Sequence, residues 1–337
     1  AVIGAAVGTN HSYLKTGNAT YTITNPAVAK VLTDTSASHT AGSNVTIGEV
    51  ITYTITVTLP DGISSPSVTV TDNLPTGLAY VAGSAVVDSS TFIGTIPSMT
   101  VTCAGGNGDD PVFSFATITV DSTENSTNNA FTIRFNAVVL NVAGNTTGTT
   151  LTNRAQVRVG SGTTYNSGNV NATVVQPNIT INKRFLTAFD TVPDTITDDK
   201  AAVNDVAMIY LVVTNTGNAT AFDVNVVDTL PVSIFGDLSN ITEVTTPVGF
   251  TFSSATIGSG HEITYSGGSI NSAQTLVFAF TAKVATITTG QTFHNSAYVS
   301  DSSTLPGSDP NERHYAATGT DRLTGIGAPE DVPRLHR

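Results

Sequence analysis

Apolar and polar residues alternate in short runs along this chain, and no stretch keeps the spacing of a long amphipathic helix. In Val50–Val57 the residues Ile51, Tyr53, Ile55 and Val57 share one face and threonines share the other, the period-two pattern of a half-buried strand. Ser67–Asp72 alternates likewise until Asn73-Leu74-Pro75-Thr76-Gly77 breaks it with turn residues. Phe113–Val120, Phe131–Leu140 and Leu151–Val159 continue the series. The pattern then starts again. Val206–Thr214 answers Val50–Thr58, and Asp223–Asp228 with Thr229-Leu230-Pro231 answers Ser67–Asp72 with Asn73-Leu74-Pro75, at an offset of 228 − 72 = 156. Leu276–Ala285 and Phe293–Ser300 supply late strands. Many short strands separated by turn signals predict an all-β chain of tandem immunoglobulin-like antiparallel β-sandwiches.

A second repetition sets the boundaries. Residues 17–26 match residues 168–177 without a gap at an offset of 168 − 17 = 151, each copy ending in a Pro that precedes a short apolar strand with one lysine, Lys30 or Lys183. Residues 1–25 therefore read as an extra strand, either the end of a preceding repeat or a strand free to be donated. Residues 26–177 and 178–321 form two sandwich repeats, and residues 322–337 a linker or docking tail. The joints Asn25-Pro26 and Gln176-Pro177 are so short that neighbouring sandwiches should stack stiffly.

Composition narrows the class. A net charge of −12 argues against a nucleic-acid partner, and no run is long and apolar enough for membrane insertion. Cys103 is the only cysteine, so no disulfide framework holds the fold, and no basic neighbour activates its thiol. Asn-x-Ser/Thr sequons at Asn18, Asn44, Asn125, Asn145, Asn218 and Asn240, with others at Asn10, Asn171 and Asn178, suit a glycosylated extracellular surface. Asp194, Asp198 and Asp199 cluster ahead of a strand and could hold Ca²⁺, but their spacing is not that of an ordered calcium loop, and solvated turns are the plainer reading. The histidines are scattered without a zinc spacing, and neither a nucleophile elbow nor a phosphate loop occurs. No cofactor and no substrate turnover are expected.

Three stretches carry a resemblance. Gly48-Glu49-Val50-Ile51-Thr52-Tyr53-Thr54-Ile55-Thr56-Val57, Val70-Thr71-Asp72-Asn73-Leu74-Pro75 and Leu151-Thr152-Asn153-Arg154-Ala155 look like the conserved repeat domain of large prokaryotic cell-surface proteins, also called domain of unknown function 11. The second repeat matches through Val213-Thr214-Asn215-Thr216-Gly217, Val227-Asp228-Thr229-Leu230-Pro231 and Phe293-His294-Asn295-Ser296-Ala297. The first repeat departs in one turn, where Leu59-Pro60-Asp61-Gly62 stands in place of Asn-Thr-Gly. The family is similar to isopeptide-forming fimbrial domains, and the resemblance implies a cell-surface location.

Strand parity points to the chemistry. The chain has five lysines, and two of them, Lys30 and Lys183, occupy equivalent positions on strand faces that otherwise point inward. Asp72 and Asn153 in the first repeat, and Asp228 and Asn295 in the second, fall on inward faces too. A buried lysine tends to lose its proton and becomes a nucleophile, so attack on the asparagine amide with the aspartate relaying protons would form a Lys–Asn isopeptide bond. The order Lys…Asp…Asn is similar to that of cross-linking fimbrial domains, which implies the assisting role for Asp. Two alternatives stay open: a partly buried Lys–Asp salt bridge with Asn capping an edge, and a lysine that snorkels to solvent.

The expected function is structural and extracellular. One form is a filament, fibre or sheath subunit that partners itself head to tail, donating the strand of Ala19, Tyr21 and Ile23 to a neighbour's sheet edge. The other is a modular stalk or adhesin fragment that displays binding loops to other cell-surface components. If Ala1 is a mature N-terminus the extra strand has no parent sandwich and the first form is favoured; if the chain is a fragment, the second.

Overall fold

The computed structural model describes residues 24–62, 64–121, 128–186, 203–287 and 295–315. Ala19, Tyr21, Ile23, Asn18, Asn125, Asp194, Asp198, Asp199, Phe293 and the tail from residue 322 lie outside the described residues. The chain is all-β, built as immunoglobulin-like antiparallel sandwiches with separate cores.

The principal strands of the first sandwich are β1 (Ala27–Thr35), β2 (Val50–Thr58), β3 (Val68–Asn73), β4 (Ala130–Val139) and β5 (Thr150–Val159). One sheet runs β1-β2-β4 and on to Leu78–Tyr80; the other runs from Asn44–Val45 through Val170–Val174, β5 and β3 to Val112–Ser114 and Thr100–Thr102. The alternation of β2 is realised directly: Ile51, Tyr53, Ile55 and Val57 are fully buried, because the pleat sends every second side chain between the sheets. Phe131 and Phe135 from β4 in the same sheet, and Phe113 from the facing sheet, complete the core.

The second sandwich repeats the plan with β6 (Ile179–Leu186), β7 (Val206–Asn215), β8 (Ala221–Pro231), β9 (Gly260–Ile270), β10 (Thr275–Lys283) and β11 (Ser296–Ser303). Its sheets are β6-β7-β10 with Ile241–Thr245, and Thr251–Ile257 with β9-β8-β11. Pairing registers place the inward polar residues equivalently in the two repeats. Lys30 lies opposite Ile55 and Lys183 opposite Leu211, while Asp72 lies opposite Ala155 and Asp228 opposite Ala297.

The structure departs from one expectation. Phe113–Val120 is two strands, not one: Val112–Ser114 pairs with β3, and Ile118–Val120 pairs with Ser64–Ser65 and Gly94–Thr95 in a small separate sheet. Burial alternates within each piece, at Phe113 and Phe115 and again at Ile118 and Val120, but the phase slips by one residue at the exposed Ala116-Thr117 between them. Periodicity reports which face is buried, not which sheet a segment joins.

The Asn-Thr-Gly turn of the second repeat has a visible task. Asn215 is fully buried; its Oδ1 accepts from the backbone N–H groups of Asn178 and Gly217 at 3.1 and 3.0 Å, and its Nδ2 donates to the carbonyls of Ala219 and Ile270 at 2.8 and 2.9 Å. Gly217 packs against the joint between the sandwiches so closely that a Cβ there would sit 2.4 Å from the backbone of Gln176 and Asn178.

Candidate cross-link sites

Each sandwich places its first strand in one sheet and its last strand in the other. β1 and β6 carry their lysines inward, and β3 with β5, or β8 with the residue leading into β11, carry the Asp and Asn on the facing sheet. In both repeats the asparagine stands two residues before the alanine that pairs with the aspartate. All three groups are thus held at one level of the interior. Lys30 and Lys183 are 7% and 6% exposed, and Asp72, Asn153, Asp228 and Asn295 are 0% exposed.

Lys30 Nζ donates to Asp72 Oδ2, and Lys183 Nζ donates to Asp228 Oδ2. The Lys30 ammonium also lies 4.0 Å from the Tyr53 ring centroid and 5.2 Å from that of Phe135, so its surroundings are aromatic and dry. Burial lowers the Lys30 pKa from 10.5 to about 8 against the opposing pull of Asp72. Burial likewise raises the carboxyl of Asp72 above its ordinary range despite Lys30, and that of Asp228 despite Lys183. These shifts favour the neutral amine and the protonated acid, because neither charge is solvated here. Tyr53 and Tyr265 have their phenol pKa values raised, chiefly by burial.

The asparagines are less well served. Asn153 lies against the Asp72 carboxyl, and Asn295 against that of Asp228, closely enough to oppose the upward shift of each acid. Yet neither Oδ1 nor Nδ2 of either asparagine completes a well-aligned hydrogen bond, and Asp72 Oδ1 and Asp228 Oδ1 are equally without one. A buried polar atom left unpaired costs about 1–3 kcal/mol. The same set of six orphaned atoms, three per sandwich, therefore marks a position where hydrogen bonding alone does not satisfy the groups present.

The reaction expected of this trio from the sequence is amide transfer from Asn to Lys. In it a neutral lysine amine would attack Asn Cγ while a protonated Asp donated to the amide oxygen, and Asp would then pass the amine proton to the departing nitrogen. One C–N bond forms, one breaks, ammonia leaves and Asp regains its starting state. No metal or cofactor enters this balance.

The remaining candidates fall elsewhere. Asn44 and Asn218 are exposed and Asn240 half-buried, whereas Asn145 is 1% exposed with its Nδ2 donating to the carbonyls of Gly77 and Leu140 at 2.9 and 2.8 Å. That burial corrects the sequon reading at Asn145: the amide nitrogen a glycan would need is consumed inside the fold. Among the described residues no cluster of His, Cys, Asp and Glu is arranged to hold a metal. Cys103 is half-buried, its thiol 3.5 Å from the Asp109 carbonyl.

No protein-family model matches the chain, and no curated protein matches it in sequence, so the resemblance to the conserved repeat domain rests on the motifs themselves. Among solved structures the chain is similar to the C-terminal domain of the Streptococcus agalactiae AgI/II polypeptide BspA, at 11% identity and a TM-score of 0.42 over 86% of this chain and 97% of that one. It is also similar to BcpA, the major pilin subunit of Bacillus cereus, at 12% identity and a TM-score of 0.34 over 86% of this chain and 63% of that one. A third is the 35 kDa C-terminal fragment of the S. agalactiae major pilin GBS80, at 11% identity and a TM-score of 0.32 over 92% and 98%. Likenesses at this level bear on neither identity nor activity.

Proposed function

We propose that the chain is a non-enzymatic, extracellular structural protein whose sandwiches are internally cross-linked, Lys30 to Asn153 and Lys183 to Asn295, with Asp72 and Asp228 as proton relays. The observation that supports it is the recurrence, at equivalent positions of both repeats, of a buried Lys–Asp contact beside an asparagine with unsatisfied amide atoms. A salt bridge serving only stability is a poor alternative, because an apolar trio of similar volume would hold the core at least as well. A bond from the first strand of a sandwich to its facing sheet acts close to where tension enters, and needs no oxidant. That suits a cell-surface fibre or stalk.

Intact mass tests this reading. The bonded chain is lighter than its sequence mass by about 17 Da per bond, the ammonia released in each amide transfer. Asn153→Ala and Asn295→Ala should each restore one increment, and Asp72→Ala should block the first bond with Lys30 and Asn153 both present. A full-length chain at its unmodified mass overturns the cross-link.

The assembly we infer is head to tail, by donation of the strand containing Ala19, Tyr21 and Ile23 to another copy. Its support is the gapless match of residues 17–26 to 168–177: within that matched stretch, Val170–Val174 is a sheet strand of the first sandwich, paired with β5 on one side and the short Asn44–Val45 on the other. A stalk or adhesin fragment remains the competing reading, and light scattering with residues 1–25 present and deleted separates them. Polymers lost on deletion support donation; a monomer in both states supports the stalk.

A further inference from the structure

Beyond β11 the second sandwich sends out a segment that has no counterpart in the first. In the first sandwich β5 ends at Val159 and the chain returns at once as Thr164–Asn166 along the same strand. In the second, β11 ends at Ser303 and the chain first makes an excursion, coming back to Ser303 only at His314. The excursion lies on the other sandwich.

Its contacts are specific and largely polar. Thr304, fully buried, donates its hydroxyl to the Ile47 carbonyl at 2.9 Å. The Glu312 carbonyl accepts from Asn141 Nδ2 at 2.9 Å. Arg313 reaches into the loop after β4, its Nε donating to Asn141 Oδ1 at 2.8 Å, Nη1 to the Asn145 carbonyl at 2.8 Å and Nη2 to the Val142 carbonyl at 2.7 Å. Gln176 Nε2 donates to the Tyr315 hydroxyl at 2.6 Å. The base of the excursion is fastened to its own sandwich, where Asp223 Oδ2 accepts from the Gly307 N–H at 2.8 Å and the Ser303 hydroxyl at 3.2 Å.

The receiving surface is preformed. The buried Glu49 carboxylate accepts from the Thr46 N–H at 2.7 Å and the Thr40 hydroxyl at 2.9 Å, fixing the turn that presents the Ile47 carbonyl. The pinned Asn145 side chain holds the loop whose carbonyls chelate Arg313. Gly48, at φ +88°, leaves the space into which Leu305 packs; a Cβ there would sit 2.6 Å from Leu305 Cδ1. The dock is thus braced by hydrogen bonds within its own sandwich, which lowers the ordering cost of contact.

We propose that Thr304–Tyr315 is an interdomain clamp, with Arg313 as its key, that locks the two sandwiches into one stiff body. It acts in parallel with the covalent joint at Gln176-Pro177, so bending or stretching that joint requires Arg313 to leave its three oxygen partners. The second repeat carries the clamp and the first is its dock.

The test is single-molecule fluorescence transfer between dyes on Ser161→Cys and Ser272→Cys in a Cys103→Ser background, one label on each sandwich. The parent should give a single narrow distance distribution, and Arg313→Ala should broaden it at least about twofold while both sandwiches stay folded by circular dichroism. Arg313→Lys, which keeps the charge but loses the planar guanidinium fork, should fall between. Asn141→Ala removes two of the contacts from the dock side and should broaden it as well, so the answer does not depend on one variant folding. A width unchanged in folded Arg313→Ala or Asn141→Ala overturns the clamp. The measurement is independent of the cross-links, whose failure shows in intact mass and not in this width.

Discussion

Lys30 is enclosed by Tyr53, Phe135 and Asp72 at a depth where an unpaired ammonium is costly. In Asn153→Ala the amine stays free, and its folded pKa of about 8 lies below the ordinary 10.5. The folded state then prefers the neutral amine, so this group's stability contribution is complete above pH 10.5 and is lost as pH falls through about 8. Urea midpoints of Asn153→Ala should therefore rise between pH 8 and 10.5 relative to the bonded parent, whose Lys30 nitrogen is an amide and does not titrate. Parallel curves would mean the parent amine is free too. His314 titrates in the opposite sense. Its ring nitrogens face Asp301 Oδ1 at 3.3 Å and Glu312 Oε1 at 3.0 Å, and although burial works against it these carboxylates raise its pKa above 6.5. A raised pKa stabilises below the unfolded value and is lost as pH rises through the folded one. The clamp should accordingly be tighter at pH 5.5 than at pH 8.5, read as a narrower transfer distribution, and His314→Gln should remove the difference.

At the scale of elements, the cross-link trio was legible in the sequence because strands have a period of two. Once Ile51, Tyr53, Ile55 and Val57 define an inward face, parity assigns Lys30, Asp72 and Asn153 to inward faces of their own strands. Parity could not show that these faces meet at one level, since that depends on the register of β3 on β5 and of β8 on β11. Asn215 shows the same division. Its Asn-Thr-Gly motif was readable as a turn, whereas its hydrogen bonds beyond that turn, to Asn178 at the joint and to Ile270 of β9, came from the folded chain. Asn215→Ala should cost about 3 kcal/mol, the price of leaving several buried backbone groups unpaired, and should lower the thermal midpoint of the second sandwich more than that of the first. Equal shifts would deny Asn215 its local role.

For the whole molecule, stiffness is where the sequence and the folded chain differ most. Short joints at Asn25-Pro26 and Gln176-Pro177 suggested stiff stacking by themselves. The structure adds a second connection, from Thr304 to Ile47 and from Arg313 to the loop after β4, more than a hundred residues away in sequence. Under tension in an optical trap the parent should show one small early extension step as the clamp releases, and Arg313→Ala should lack it. In the cross-linked chain neither sandwich should then extend to its full contour length, because the segments between Lys30 and Asn153 and between Lys183 and Asn295 are bypassed.

The amino-acid order alone determined the all-β class, the tandem repetition and the inward placement of Lys, Asp and Asn, since alternation and repeat offset are local properties that survive any arrangement of the strands. It could not determine that Asn145 is buried, that Phe113–Val120 divides between sheets, or that Arg313 is a tether. A clue to Arg313 was present in Asn311-Glu312-Arg313-His314-Tyr315, a polar, charged cluster in a chain only 11% charged. Two of its three partners are backbone carbonyls, which every residue carries and no sequence pattern marks; only the fold, by bringing the loop after β4 under the strand end of another sandwich, turned them and Asn141 Oδ1 into a site.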